Sequence, residues 1–298
     1  MSLKDIIRKY TPTSLLEWNR GRKKAKRNAE LKSQANRGGA LSKEDILLDL
    51  EKIGIVKGDH VLVHSSLSRI GFLKDGADTF IDALIEAVGN EGTVLMPTSP
   101  NNVYQLNYIR NTPFFDVLNS PSKTGKMTEV FRTRPEAIRS WHPTEPVSAI
   151  GKLAIEFTKD HFNQLTPYNE NSPFSKLAKH NGKILYVGVG LSQAGTSLHT
   201  LEDAVDFKFP VYYPEIFEFT VIDDKGLKHQ VKTKVHDPAW SKQRKCDDLI
   251  PMFEKEGAMT KAQIGQARTL VVDAKRFFDV MLKAYESEGV TMYTPKGS

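Results

Sequence analysis

The chain has 298 residues, 39% of them hydrophobic, which is enough for one large core or two tightly joined ones. No run approaches about 18 apolar residues, the N-terminus carries no apolar segment with a cleavage site, and the single cysteine, Cys246, excludes an internal disulfide and a cysteine-rich zinc site, so a cytoplasmic protein without a metal is expected. The net charge of +6 is uneven: the first 40 residues hold eleven Lys/Arg against three Asp/Glu, a balance of +8, which leaves −2 for the rest.

Residues 1–40 read as a basic arm and linker, densest in RGRKKAKR (Arg20 to Arg27). Such a block suits phosphates or an anionic membrane surface, so a peripheral membrane contact is one reading of it. A solvated helix that keeps the protein soluble is the favoured reading. Aromatic residues for base stacking are sparse here, so no nucleic-acid partner is expected. QANRGGALS (Gln34 to Ser42) reads as a linker, and a single domain is expected over 41–298. Ser42 with Asp45 resembles a capping box, opening a helix through KEDILLDLEKIG with Ile46, Leu47, Leu50 and Ile53 in one stripe. DHVLVHSSL follows as a buried strand (His60 to His64) ending in a polar turn. GADTFIDALIEAVG is an amphipathic helix, GTVLMPTSP a second strand, GKMTEVFRTRP a third helix and GKILYVGVG a third strand. Strand, loop and helix recur, which points to an α/β layered fold. After Phe209, YYPEIFEFTVIDDKGLKHQVKTKV reads as an antiparallel hairpin around Asp224-Lys225-Gly226, and a helix through LVVDAKRFFDVMLKAYESEG closes the chain.

Ligands of open α/β sheets bind at the carboxyl ends of strands. Three strand ends here carry small polar groups: Ser65-Ser66, Thr98-Ser99 and Thr196-Ser197. Hydroxyls and free backbone N–H groups in such loops suit phosphates and carbonyls. No G-x-G-x-x-G follows a strand, no Walker lysine motif is present, and no G-x-S-x-G elbow marks a serine hydrolase. His60 and His64 flank a strand and read as hydrogen-bonded structural residues. His199 reads as a first-turn residue of a helix capped by Thr196 or Ser197, with Glu202 and Asp203 on the same face. A neutral imidazole oriented by a carboxylate is a general-base arrangement. On spacing alone, a chance His-x-x-Glu is the commoner origin of such a pair. His142 precedes Pro143 and is pushed into extended backbone, with Glu145 three residues on.

The order of five segments goes further: VLVHSSLSRIG, GTVLMPT, FRTRPEAIRSWHPTEPVSAIG, TPYNENSPFSKL and KILYVGVGLSQAGTSLHTLED. The sequence resembles the aminoglycoside 3-N-acetyltransferase family, enzymes that use acetyl-CoA, from about Ser42 to about Asp206. The resemblance implies an α/β/α sandwich around a largely central mixed sheet, unrelated to GNAT acetyltransferases. It implies that Ser65, Ser66, Thr98 and Ser148 help bind acetyl-CoA or another acyl-CoA. It also implies that His142, His199 and Glu202 surround the reacting centre. Asp203 and Glu145 would attract a cationic amino sugar or aminoglycoside. His199, oriented by Glu202, is the favoured base, with His142 assisting the thiol, though these roles can be exchanged. The core balance of −2 fits a single-amine sugar for a surface polysaccharide as well as a polyamine drug. A non-catalytic coenzyme A or sugar binder that keeps the fold is the alternative. A dimer is consistent with the sequence, which carries no signal for it.

Overall fold

The computed structural model describes residues 39–101 and 104–297, together with positions 18, 19, 21, 22, 25–27, 29, 30 and 33. Positions 34–38 of the expected linker lie outside the described residues. Among the described residues no helix is long and apolar enough to cross a membrane.

Among the described residues ten strands form two sheets: β1 (His60–Ser65), β2 (Thr93–Pro97), β3 (Phe114–Asp116), β4 (Ile138–Arg139), β5 (Val147–Gly151), β6 (Lys183–Val187), β7 (Phe217–Ile222), β8 (Lys228–Thr233), β9 (Met259–Ile264) and β10 (Ala267–Asp273). The large sheet runs β4-β5-β2-β1-β6-β10-β9. Its centre, β2-β1-β6, is parallel, and antiparallel strands extend it on both sides. A sheet covered on both faces needs strands that are apolar on both faces. Leu62, Leu95, Ile184 and Tyr186 turn to one core, and Val61, Val63, Val94, Met96, Leu185 and Val187 to the other.

The main helices are α1 (Lys43–Lys52), α2 (Ala77–Val88), α3 (Gln105–Asn111), α4 (Lys126–Arg132), α5 (Pro173–Lys179), α6 (Thr200–Ala204) and α7 (Ala274–Glu288). Ile46 and Leu50 of α1, Phe80 and Leu84 of α2 and Phe131 of α4 fill the second core. Phe174 and Leu177 of α5, Leu201 of α6 and Phe277 and Met281 of α7 fill the first. The result is an α/β/α sandwich with a mixed central sheet. The capping box at Ser42 is present in full. The β7–β8 hairpin also forms as expected, and β3 joins it in a small separate sheet.

The last expected helix starts later than expected, because its first four residues, Leu270–Asp273, belong to β10. Thr269, Leu270, Val271 and Val272 pair with β6 and β9 instead. β-Branched residues lose little in an extended chain, and Asp273 then caps α7 by accepting from the Arg276 N–H at 2.9 Å. β9 and its turn at Gly265 (φ +54°) were not anticipated. At the N-terminal boundary, the Leu41 N–H donates to the Phe72 carbonyl at 2.8 Å. From the arm, Arg27 Nε donates to the Ser68 carbonyl at 3.1 Å.

Candidate active site

The parallel strands β1, β2 and β6 end at one edge of the sheet, and a cleft of about 560 Å³ opens there. Ser65 closes β1 and lines the cleft, and its hydroxyl is buried without a partner among the described residues. His64, expected to be structural, also lines the cleft. It stacks on Tyr186 and hydrogen-bonds Thr196 Oγ1 through Nε2 at 3.2 Å. Burial pushes its pKa down to about 3, so it stands neutral.

The segment GTSLHTLED folds as a 3-10 turn, Thr196–His199, that runs into α6. Neither Thr196 nor Ser197 caps a helix with its side chain, and His199 stands at the junction. The i+3 relation survives this change: His199 Nδ1 lies 2.8 Å from Glu202 Oε2. The same oxygen lies 2.7 Å from His236 Nε2, and Glu202 Oε1 accepts from the Tyr293 hydroxyl at 2.8 Å. The Glu202 side chain has no exposure, so these three donors replace water around it.

The carboxylate accepts, so each imidazole must donate to it. Nδ1 of His199 then carries the proton, and the Nε2 lone pair remains free on a residue that lines the cleft. Burial opposes the charge on Glu202, but His199 and His236 outweigh it and hold the carboxyl well below its usual range. Burial pushes the His199 pKa down to about 3, against the pull of Glu202. A neutral base beside a fixed anion is the outcome. Tyr168 stacks on His199 at 4.8 Å between ring centroids and shields it from water.

His199, Glu202 and His236 offer three metal-ligand atoms within 4.8 Å of one another. The two nitrogens, however, hold protons against a single carboxylate oxygen. A zinc-type ion needs deprotonated nitrogens at about 2.0–2.1 Å, in the places these protons occupy. The donor set as it stands is closed by hydrogen bonds to that oxygen.

Other expected site residues are placed differently. Thr98 and Ser148 are fully buried and do not line the cleft. Their hydroxyls meet at 3.1 Å, and Thr98 also takes a hydrogen bond from Arg139 Nε. The register that pairs Met96 with Ser148 turns both inward. Ser66 leads into a short helix over Leu67–Ile70 and is also off the cleft wall. His142 has no exposure and stacks on His161. Its Nδ1 accepts from the Glu145 N–H at 3.3 Å, which braces the turn that presents Glu145. Glu145 does line the cleft, but it already accepts from Ser99 Oγ at 2.6 Å and Gln105 Nε2 at 2.8 Å. Asp203 does not line the cleft and accepts from the Tyr212 hydroxyl and the Tyr168 N–H. Ser65, Glu145 and His199 thus share the cleft, with Glu202 directly behind.

His236, Tyr293 and Arg244 were missed. Each is a single residue far along the chain, and Val-His-Asp-Pro before a short helix was the only available hint at His236.

A family model for aminoglycoside 3-N-acetyltransferases matches residues 62–286. The chain is 29% identical over 184 residues to aminoglycoside N(3)-acetyltransferase IX of Micromonospora chalcea, covering 57% of this chain and 65% of that protein. It is 32% identical over 178 residues to aminoglycoside N(3)-acetyltransferase VIII of Streptomyces fradiae, covering 55% and 62%. The matches thus span somewhat less than two thirds of the length of these curated relatives. Among solved structures, aminoglycoside acetyltransferase AAC(3)-Xa superposes with a TM-score of 0.74 at 24% identity, over 87% of this chain and 96% of that one, which shows the shared fold. The complex of AAC-IIIb with CoASH superposes with a TM-score of 0.70 at 28% identity, over 83% and 96%.

Proposed function

Because this chain belongs to the aminoglycoside 3-N-acetyltransferase family, we propose that it is a coenzyme A-dependent N-acyltransferase. It transfers an acetyl or related acyl group to an amine of an amino sugar or aminoglycoside. The observation that carries this reading is the His199–Glu202 pair, which leaves a free imidazole lone pair in the cleft.

An ammonium has no lone pair, so the acceptor enters the reaction as the free amine, having given one proton to solvent. The amine nitrogen then bonds to the thioester carbonyl carbon, and His199 Nε2 takes a proton from that nitrogen as the bond forms. Glu202, fixed by Tyr293 and His236, stabilises the imidazolium. The carbon–sulfur bond breaks, and the imidazolium returns its proton to the thiolate. Overall, thioester and ammonium become amide, thiol and one released proton. The unpartnered Ser65 hydroxyl is a donor suited to the thioester oxygen or the oxyanion that replaces it. Ser66, Thr98, Ser148 and His142 act indirectly in this reading, by holding the strand ends and the turn that carries Glu145.

Transfer is direct. Burial pushes the Cys246 thiol up to about 11, so thiolate is scarce at neutral pH and an acyl-cysteine is disfavoured. A non-catalytic binder has no need for a lone pair held in the cleft by a buried carboxylate. The test is a thiol-release assay with acetyl-CoA against a panel of amino sugars and aminoglycosides. Release that depends on one class of amine, with N-acetyl product by mass spectrometry, is expected. Tight acetyl-CoA binding without release for any amine would leave the non-catalytic reading in its place.

A further inference from the structure

The charges on the cleft wall do not match a polycation. Glu145 is the one carboxylate among the described residues lining it, and its oxygens already accept from Ser99, Asn101 and Gln105. Glu202 is sealed behind His199, and Asp203 faces a different cavity. Against these stand two cations on the wall, Lys123 and Arg244. A substrate with several ammonium groups would find no free carboxylate here and two like charges.

Arg244 is the more telling of the two. It is half-buried, yet its Nε and Nη2 atoms are closed off from solvent and have no hydrogen-bond partner among the described residues. A guanidinium carries five donors in a fork that fits phosphate or carboxylate, and leaving them desolvated and unpaired is costly. Among the described residues no acceptor hydrogen-bonds those two atoms. Burial works against the Arg244 charge, but Tyr293 and Glu202 outweigh it and hold the group protonated. Arg244 also lines the same cleft as the proposed base.

We infer that Arg244 determines specificity by binding an anionic group of the acceptor, so that the preferred substrate is a single-amine sugar bearing a phosphate, free or nucleotide-linked. This rests on the acyltransferase reading given above. The phosphates of coenzyme A are the other source of the same chemistry. They lie the whole length of the pantetheine arm from the thioester sulfur, whereas Arg244 lines the same cleft as His199, the proposed base. The anion is thus assigned to the acceptor. Lys123, exposed at the mouth, extends the positive lining outward.

The experiment compares kcat/KM for a phosphorylated amino sugar, the same sugar without phosphate, and an aminoglycoside. The wild-type protein should prefer the phosphorylated sugar. Arg244→Gln should lower that preference by about 10- to 100-fold, the range for one charge-assisted hydrogen bond, and Arg244→Lys should restore part of it. An equal fall for all three acceptors, or a wild-type preference for the aminoglycoside, would overturn the proposal. So would a loss seen with acetyl-CoA but absent with acetyl-pantetheine, which would assign Arg244 to the donor phosphates. Calorimetry of the phosphorylated sugar binding to the protein without donor separates the two layers. If no amine is acylated but binding still depends on Arg244, the acyltransferase reading fails and the anion site stands. If amines are acylated and neither binding nor preference depends on Arg244, the anion site fails alone.

Discussion

Replacing Glu202 with Gln changes the charge of the buried carboxylate and little of its shape. Glu202 Oε2 accepts from two imidazoles at 2.8 and 2.7 Å, and Oε1 accepts from the Tyr293 hydroxyl at 2.8 Å. A glutamine can keep its oxygen toward the imidazoles if its amide nitrogen faces Tyr293, whose hydroxyl oxygen then accepts. The His199 tautomer is preserved, and the one hydrogen bond lost is that from the Tyr293 O–H to Oε1, so the fold should survive. What is lost is the anion that stabilises the imidazolium. A hydrogen bond to a charged acceptor contributes about 1.5–3 kcal/mol and a neutral one about 0.5–1.5, so His199⁺ loses about 1–2 kcal/mol from its direct contact alone. The remaining electrostatic loss at this buried site adds to that, giving a fall of about 10- to 10³-fold in turnover. The assay is steady-state thiol release with the best acceptor, alongside thermal unfolding and acetyl-CoA calorimetry. A melting midpoint within a few degrees of wild type and an unchanged donor affinity should accompany the slower rate. A Glu202→Gln protein within twofold of the wild-type rate would refute the orienting and charge-stabilising role.

Three further outcomes follow from the same geometry. Cys246→Ala should leave turnover nearly unchanged, and intact-mass measurement after acetyl-CoA alone should find no acyl-enzyme; a stable adduct at Cys246 or Ser66 would contradict direct transfer. Burial lowers the pKa of His64, His142, His161 and His199, so the unfolded chain binds more protons as pH falls below about 6.5 and stability drops with it. Each such imidazole costs about 2 kcal/mol at pH 5 relative to pH 7.5, enough to lower the melting midpoint clearly, and an unchanged or higher midpoint at pH 5 would show that these rings are not held neutral. Deleting residues 1–38 should leave a cooperatively folding domain, because Leu41 and the Ser42 cap already belong to the core and Arg27 adds only a part-buried contact; loss of cooperative unfolding would place the domain boundary inside the arm.

The central strands were legible because β1, β2 and β6 are apolar on both faces, a pattern with few other uses. The His199–Glu202 contact was legible because an i+3 pair meets in a 3-10 turn as well as in an α-helix. Other features turned on contacts that local spacing does not carry. LVVDAKRFF continues a helical stripe, yet pairing with β6 draws its first half into the sheet. The His-Pro motif predicts an extended backbone at His142 but not which way the ring turns, and it turns inward onto His161. Thr98 sits at its expected strand end, but its hydroxyl meets that of Ser148 on the neighbouring strand β5 and not the cleft. His236 and Tyr293 reach Glu202 from 34 and 91 residues away, as single residues with no motif of their own.

The proposed role of His199 Nε2 as the base within a ternary complex is tested most directly by a single-turnover experiment on His199→Ala. Saturating acetyl-CoA and acceptor are mixed with excess protein, and the N-acetyl product is followed by mass spectrometry. The account predicts a rate about 10²- to 10⁴-fold below wild type, with acetyl-CoA affinity unchanged. A His199→Ala protein that forms product at near the wild-type rate would contradict it.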